Sequence, residues 1–221
     1  MLTRKTTLFV GAALVALLSV VAPHSSYALS NDNSVIIDQV GFENHTSTNQ
    51  SDNNNKARVT QNGFSNDASL SQAGSNNETG YVASNYRIAV LRAQLGFVPP
   101  TPAGAGQWQF GSENSATAVQ DGNNNQAAQL QFGLGNSAEL YQYGAYNIAA
   151  STQMGLLNKV SLTQENGYNS ALLLQNGAFN NITASQSGNQ SLAVSQLGTN
   201  LDLTINQTGN SVGTLVITQK N

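Results

Sequence analysis

A glutamine that returns every eleven residues constrains this chain more than any other feature. The period runs through two long stretches. Of its last three steps one is short by a residue and one is long by a residue, so one deletion is cancelled by one insertion. A fixed period is the signature of a repeat architecture in which each repeat forms one small structural unit. The members of the series are Gln39, Gln50, Gln61, Gln72, Gln109, Gln120, Gln131, Gln142, Gln153, Gln164, Gln175, Gln186, Gln196, Gln207 and Gln219.

Two other residue types keep the same phase. A glycine lies two positions after the glutamine, at Gly41, Gly63, Gly74, Gly111, Gly122, Gly133, Gly144, Gly155, Gly177, Gly188, Gly198 and Gly209. An asparagine lies five positions after it, at Asn44, Asn55, Asn66, Asn77, Asn114, Asn125, Asn136, Asn147, Asn158, Asn169 and Asn180. Small or apolar residues follow at seven and nine, as in Ala138 and Leu140. The unit is therefore Gln-x-Gly-x-x-Asn-x-Ala-x-Leu-x.

The parity of these positions predicts one short strand and one turn per unit. Positions five, seven, nine and eleven fall on one face, because side chains of a strand alternate between two faces. The glycine supplies the positive φ that a tight turn requires. We therefore expect Asn, Ala, Leu or Val, and Gln to face inward, whereas Ser, Thr and charged residues such as Arg58 face outward.

The charged residues test this assignment independently. In the regular units no Asp, Glu, Lys or Arg occupies an inward phase, whereas Lys56, Asp67 and Glu139 lie on outward phases. An unpaired charge inside a protein costs several kcal/mol. The distribution of charge therefore indicates that the amide face is buried.

Buried amides are stable when identical side chains stack at ~4.8 Å and bond along the stack, as in Asn and Gln ladders of cross-β structures. The sequence therefore predicts an all-β fold, a β-solenoid of eleven-residue strand-turn units. Two units, twice the basic period, form the simplest coil with two facing sheets. A triangular coil of three units is the alternative.

The N-terminus predicts a secretory signal peptide over residues 1–28. Arg4 and Lys5 precede an apolar run from Leu8 to Ala22, and Ser26-Tyr27-Ala28 offers a cleavage site. We expect no transmembrane segment after it. The remaining chain is mildly acidic and has no basic stripe, so nucleic acid is not an expected partner. The sequence has no cysteine, so stability must come from the backbone ladder and from packing.

The repeat weakens over residues 80–108, which separates regular units at 29–79 and at 109–221. Gln94 lies two periods after Gln72, which predicts a degenerate coil around Ile88 to Gln94 and an insertion of four residues after it. Pro99, Pro100 and Pro102 all lie here, and proline cannot donate to a β-ladder. Two interpretations of the region stay open. It is either an inert loop at a corner or a partner contact formed by Arg87, Arg92, Phe97 and Trp108.

The repeat resembles the curlin repeat of curli fimbriae. The segments Leu140-Tyr141-Gln142-Tyr143-Gly144-Ala145-Tyr146-Asn147 and Gln61-Asn62-Gly63-Phe64-Ser65-Asn66-Asp67-Ala68 are especially similar to it. The resemblance implies a secreted subunit of an extracellular amyloid fibre at the cell surface, active in adhesion and biofilm matrix. It implies self-assembly, a sister curlin subunit, an outer-membrane export pore with accessory proteins, and contact with host or abiotic surfaces.

The resemblance leaves open whether this is a major or a nucleating subunit. The first unit begins by Asn33, without the Gly-rich leader that family subunits use for export. The segment Leu215 to Gln219 ends the sequence on a bare strand, which is more typical of the minor, nucleating subunit. Acidic residues of the turns and flanks, Asp52, Asp67 and Asp121, are either gatekeepers against premature stacking or ordinary turn residues.

The sequence does not favour an enzyme. Glu43 and Glu113 share a turn phase but are expected to lie many coils apart, and His45 is expected to be a solvated corner residue. Without cysteine or a second histidine beyond residue 28, no zinc ligand set is present, so neither catalytic residues nor cofactors nor metals are predicted. The serious alternative function is a secreted β-solenoid adhesin that does not polymerise. Such a protein needs polar, charged end units, and neither Asn33 to Gln39 nor Leu215 to Gln219 has that character.

Overall fold

The computed structural model describes residues 24–28, 32–79, 107–210 and 213–221, and all regular structure within them is β-strand. The first nine strands are β1 His24–Ala28, β2 Ser34–Phe42, β3 His45–Gln50, β4 Lys56–Phe64, β5 Asp67–Ala73, β6 Glu78–Thr79, β7 Gln107–Ser112, β8 Ser115–Asn123 and β9 Gln126–Leu134. The other eight are β10 Ser137–Ala145, β11 Ile148–Leu156, β12 Lys159–Glu165, β13 Ser170–Ala178, β14 Asn181–Ser187, β15 Ser191–Thr199, β16 Asp202–Thr208 and β17 Thr214–Lys220.

The strands form two parallel sheets. Sheet A has the order β1-β3-β5-β8-β10-β12-β14-β16, and sheet B has the order β17-β15-β13-β11-β9-β6-β4-β2, with β7 between β4 and β9. Successive units alternate between the sheets, so each strand pairs with the strand two units away. This arrangement confirms the β-solenoid and its two units per coil, with about seven turns. The alternative of three units per coil is wrong.

The register follows the glutamine series even where the spacing changes. Gln142 bonds to Gln164, 22 residues on, but Gln175 bonds to Gln196 and Gln186 to Gln207, each 21 residues on. The last pair, Gln196 and Gln219, is 23 residues apart. Because a slip of one residue would turn every inward side chain outward, the turns absorb the deletion and the insertion.

An aliphatic core lies between the two sheets. It is formed by the small and aliphatic residues at positions seven and nine of the units, and Val160, Leu162, Leu173 and Ile182 in it are fully buried. These side chains fill the space between the amide rows described below. The core is narrow and continuous along the coil axis, because each coil adds the same few residues.

The interruption of the repeat lies within one strand. β6 and β7 occupy a single rung, by which we mean one strand position in the stack of a sheet. Thr79 pairs with Ala57 and Ala127, whereas Gln107 pairs with Val59 and Gln129. The ladder of sheet A passes directly from Gln72 to Gln120, a separation of 48 along the chain where a regular step is 22. The inserted segment accounts for the difference between these two separations. The predicted coil around Ile88 to Gln94 lies outside the described residues, and the regular ladder resumes at Gln107 rather than at 109.

Most of the predicted signal peptide also lies outside the described residues. Its last five, His24–Ala28, form β1, which pairs in parallel with β3 from His24 opposite Thr46 to Ala28 opposite Gln50. The edge of β3 thus accepts a strand that lacks the eleven-residue motif.

Candidate functional site

All fifteen glutamines of the series lie in two rows inside the coil. In each row Nε2 of one glutamine donates to Oε1 of the glutamine on the next rung, at distances from 2.5 to 3.0 Å. The row of sheet B is Gln39, Gln61, Gln109, Gln131, Gln153, Gln175, Gln196 and Gln219. The row of sheet A is Gln50, Gln72, Gln120, Gln142, Gln164, Gln186 and Gln207. Every bond has the same direction along the axis, so each row has one donor end and one acceptor end.

Each interior glutamine also joins the two sheets. Gln131 in sheet B donates from Nε2 to the carbonyl oxygen of Ser115 in sheet A at 2.7 Å, and Gln142 in sheet A donates to that of Gln126 in sheet B at 2.9 Å. A buried amide that lacks partners costs about 1–3 kcal/mol. Bonding along the row and across the coil removes that cost.

The eleven predicted asparagines form two further rows at the corners, and all are buried. Oδ1 of each accepts from the backbone N–H of the residue in the same phase one rung on, at 2.9 to 3.2 Å. The side chain amide bonds to the corner backbone, as Asn136 does to the carbonyl oxygens of Phe132 and Gly155, each at 3.1 Å. The asparagine rows therefore hold the turns, whereas the glutamine rows hold the sheets.

Sequence reasoning missed several interior amides. Gln107 and Gln129 occupy the phase assigned to Leu or Val and are buried, with Nε2 of Gln107 2.8 Å from Oε1 of Gln129. Gln190 replaces asparagine at the corner after β14, where its backbone N–H donates to Oδ1 of Asn169 at 3.0 Å. The parity of Gln107 and Gln129 in the unit was the signal for their burial.

The twelve predicted turn glycines all have positive φ, between +83° and +138°. They also allow successive corners to approach closely. A Cβ added to Gly133 would lie 2.0 Å from the carbonyl oxygen of Gly155 on the next rung, a separation that atoms do not adopt. The glycine row therefore permits the tight stacking of coils as well as the turn.

The outer faces of the two sheets differ. Outward residues of sheet A are polar on nearly every rung, for example Ser69, Thr117, Glu139, Ser161 and Thr183. Outward residues of sheet B are polar and apolar on the first rungs, and from β9 to β15 they include several buried apolar residues. We name Leu130, Ile148, Ala150, Leu172, Leu174 and Ala193 the apolar outer patch.

Aromatic side chains stack along the corners. Phe110 lies over Phe132 with ring centroids 4.9 Å apart, and Tyr146 lies over Tyr168 with centroids 5.0 Å apart. Phe42 and Phe64 also stack, at 5.5 Å. Such contacts follow from the repeat, because identical phases on successive rungs lie one above the other.

Charged and titratable residues lie on the surface and do not form a catalytic arrangement among the described residues. Glu43 and Glu113 are only two rungs apart, with Ser65 between them. The prediction of many coils was wrong because β4 pairs directly with β7. His45 is exposed on the outer face of sheet A. No group of three or more acidic or histidine side chains in the described parts of the chain is arranged to hold a metal ion.

Tyr141 is the titratable group whose pKa departs from its ordinary value of 10.0 among the described residues. Partial burial on the outer face of sheet A raises the pKa, and the nearby Glu139 and Tyr143 raise it further. This is an outward position, and the interior rows contain only neutral amides.

The described segments contain no helix with the length and apolar character needed to cross a membrane.

Comparison with known proteins identifies the repeat. The model of the curlin associated repeat matches residues 53–80 and 111–144, on both sides of the insertion. No curated protein and no solved structure matches the chain. The matched segments contain the Gln, Gly and Asn phases that form the interior rows and the corners. The chain is therefore similar to the curlin associated repeat in these two segments.

Proposed function

We propose that this chain is a structural subunit of an extracellular functional amyloid fibre, a curli-like fimbrium, which grows by templated addition of strands. The observation that carries the proposal is the polarity of the glutamine rows. In the row of sheet A, Gln50 Oε1 is buried and accepts no hydrogen bond. At the opposite end Gln207 Nε2 makes a long contact of 3.4 Å to the carbonyl oxygen of Ser191, and no further glutamine of the described chain follows it in the row.

These two ends are complementary. In this structure β1, which lies within the predicted signal peptide, pairs with β3 at this end of sheet A. After cleavage of that peptide, a second chain that adds in register in its place brings Gln207 Nε2 of one subunit against Gln50 Oε1 of the next, which continues the row across the junction. In the same arrangement Gln219 of one subunit precedes Gln39 of the next in sheet B. Among the described residues β16 pairs only with β14 and β17 only with β15, so both edges have unpaired backbone groups. Uncovered edges of this kind accept strands from other chains.

The remaining parts of the proposal are supported by the two matches to the curlin associated repeat and by the signal-like N-terminus. We propose secretion, a place on the cell surface, and a role in adhesion and biofilm matrix rather than in catalysis. The partners proposed are other copies of this chain, a sister curlin subunit, an outer-membrane export pore with its accessory proteins, and host or abiotic surfaces. The interior amide rows and the turn glycines are proposed as the residues on which assembly depends.

Crosslinking across the junction tests the proposal. In the proposed register Lys220 of one subunit lies beside Val40 of the next, and paired strands are ~4.8 Å apart, within reach of a disulfide. The chain has no cysteine of its own. The double variant Val40→Cys, Lys220→Cys should therefore give covalent multimers after oxidation of thioflavin-positive material.

Each single variant is the control and should give no species larger than a dimer. A chain that stays soluble and monomeric, without a ~4.7 Å meridional reflection from dried samples, contradicts the fibre and favours the non-polymerising adhesin. Fibres whose double variant forms only dimers retain the fibre but contradict the proposed junction.

A further inference from the structure

One row of outward side chains on sheet A begins with a base and ends with an acid. His45 on β3 and Asp202 on β16 are the two ends, and both are exposed. The other outward positions of these two strands carry only Ser, Thr and Asn. In order along the axis, the row is His45, Asp67, Ser115, Ser137, Lys159, Asn181 and Asp202.

The proposed junction brings the two ends of this row together. This step rests on the proposed function, in which Gln207 of one subunit lies beside Gln50 of the next once β1 has been removed. Asp202 precedes Gln207 by five residues, and His45 precedes Gln50 by five. Because the strands pair in parallel, Asp202 of one subunit then lies beside His45 of the next, on strands ~4.8 Å apart. Every junction of a homopolymer repeats this pair.

Side chains in this phase bond from one rung to the next within the subunit. Nδ2 of Asn181 donates to Oδ1 of Asp202 at 2.9 Å. At the neighbouring corner, Oγ of Ser65 donates to Oε2 of Glu43 at 3.1 Å, again over one rung. The carboxylate of Asp202 has a second oxygen for the strand on its other side. An imidazole at that position is within bonding distance of it.

The charged groups around His45 are all acidic. Asp67 lies opposite it on β5, and Glu43 lies at the corner that precedes β3. None of the strands β3, β5 and β16 contains Lys or Arg. Lys220 of the adjoining subunit points outward from sheet B, on the other side of the coil. The junction therefore adds a second strand-borne carboxylate to His45 without adding a cation beside it, and an opposite charge within about 4–6 Å favours the charged form of a side chain.

We propose that His45 of one subunit and Asp202 of the next form a pH-sensitive pair at the fibre junction, with Asp67 on the other side of the imidazole. Histidine is the side chain that ordinarily changes its charge between pH 5 and pH 8. Since the assembled state favours the imidazolium, assembly takes up protons in this range. The stabilisation is complete in weak acid and is lost as pH rises through the range in which the fibre releases these protons. It is also lost near pH 4, where carboxylates become neutral.

Nuclear magnetic resonance of the imidazole provides the test, because His45 is the single histidine after residue 28. The ring 15N shifts of chain 29–221, the form that the proposed fibre contains, are followed from pH 5 to pH 9 in the soluble chain and in fibres. We expect the titration midpoint to be higher in fibres by at least about half a pH unit. Asp202→Asn should remove most of this difference. Asp121→Asn, at an exposed aspartate of β8 away from the junction, is the matched control and should leave it unchanged.

The concentration of soluble chain in equilibrium with fibres provides a second readout. It should be about two- to fivefold lower at pH 5.5 than at pH 8, as expected for one exposed pair. His45→Gln should reduce that ratio to nearly one, whereas Asp121→Asn should retain it. A ratio that survives in the His45→Gln variant would overturn the proposal.

The outcomes separate this pair from the junction itself. A chain that forms no fibres, or fibres in which the Val40→Cys, Lys220→Cys variant gives only dimers, contradicts the junction and the pair together. Fibres that crosslink as expected, but whose histidine titration is unchanged by Asp202→Asn, overturn the pair alone. An effect of Asp67→Asn without an effect of Asp202→Asn would assign the titration to the histidine's own subunit, and it would also overturn the pair.

Discussion

The inside of the coil and the outer face of sheet A are formed by alternate residues of the same strands, but they differ in how strictly they repeat. Inside, Gln120, Gln142 and Gln164 stack on one another without exception. On the outer face of the same three strands, the stacked residues are of three different types, Val119, Tyr141 and Thr163. A side chain in water has no need of an identical neighbour, whereas a buried amide needs one above and one below. The difference indicates that the interior determines register and leaves the outer face free to vary.

The largest effect is expected from a charge placed inside. Gln142→Glu puts a carboxylate in the row and removes a donor, and leaving an uncompensated charge in a protein interior costs about 3–5 kcal/mol. Burial raises the pKa of such a carboxyl, so stability should be lost as pH rises through that raised value and regained in acid. The measurement is the guanidinium midpoint by circular dichroism at pH 7 and pH 3. Tyr141→Glu, one residue away on the outer face, is the control and should cost less than a third as much.

A methyl group at a close corner should be nearly as harmful. Gly133→Ala combines an unfavourable φ of +119° with a Cβ 2.0 Å from Gly155 O, and strain with overpacking amounts to about 2–4 kcal/mol. Gly209→Ala keeps the positive φ, +92°, but has no atom within 4 Å of the added carbon. The difference between the two guanidinium midpoints isolates the contact between coils. Equal midpoints would show that the corners do not stack this closely.

Removal of one interior asparagine should have a smaller effect. Asn158→Ala deletes side chain bonds to Asn136 Oδ1 and to the carbonyl oxygens of Met154 and Gly177, and it leaves buried partners unpaired at a cost of about 1–3 kcal/mol. Ser161→Ala on the outer face of β12, the strand that follows Asn158, should change stability by no more than about 0.5 kcal/mol. Thermal melts of the two variants compare an inside position at the corner before β12 with an outside position on β12. Similar melting temperatures would contradict the distinction.

The smallest effect is expected for the titration of Tyr141. Its pKa is raised in the folded chain by burial and then by Glu139, so the neutral form is favoured in the native state. This contribution is complete below pH 10 and is lost as pH rises through the folded value. Tyr141→Phe should therefore flatten the decline of stability between pH 9 and pH 12 and change nothing at pH 7. A curve identical to that of the native chain would show that the phenol is not perturbed.

Much of the fold follows from the sequence because phase alone determines which side chains face inward. The number of units per coil also follows from the sequence, since two units form the simplest coil with two facing sheets. The position of the insertion in the ladder does not follow from the sequence. The inserted segment is longer than one coil by only four residues, so Gln94 keeps the correct phase after Gln72 without a described rung between Gln72 and Gln120. The spacing of the repeat shows only which residues of a strand face inward. It does not show which strands pair, because the pairing of β4 with β7 depends on contacts between residues that are distant in the sequence.

The bonding of the asparagines goes beyond the sequence-based expectation. Stacked amides predict side chain bonds from rung to rung, as Gln142 and Gln164 form them. Asn147 Oδ1 accepts such a bond from Nδ2 of Asn169 at 3.0 Å, but it also accepts from the backbone N–H of Asn169, because its shorter side chain lies at a corner where backbone donors are within reach. The residue type and spacing were sufficient to place the amide inside and to predict its neighbour, but not to predict the additional bond from the backbone.

The most direct test of the account is the contact between Gln142 and Gln164 in assembled fibres. Nε2 of Gln142 lies 2.9 Å from Oε1 of Gln164, so solid-state NMR of fibres labelled with 15N at one side chain and 13C at the other should give a strong dipolar correlation. The 15N-labelled amide should also resist exchange with deuterated water. Absence of the correlation together with rapid exchange would place these amides in solvent, and it would contradict the proposal that interior rows hold the coils together.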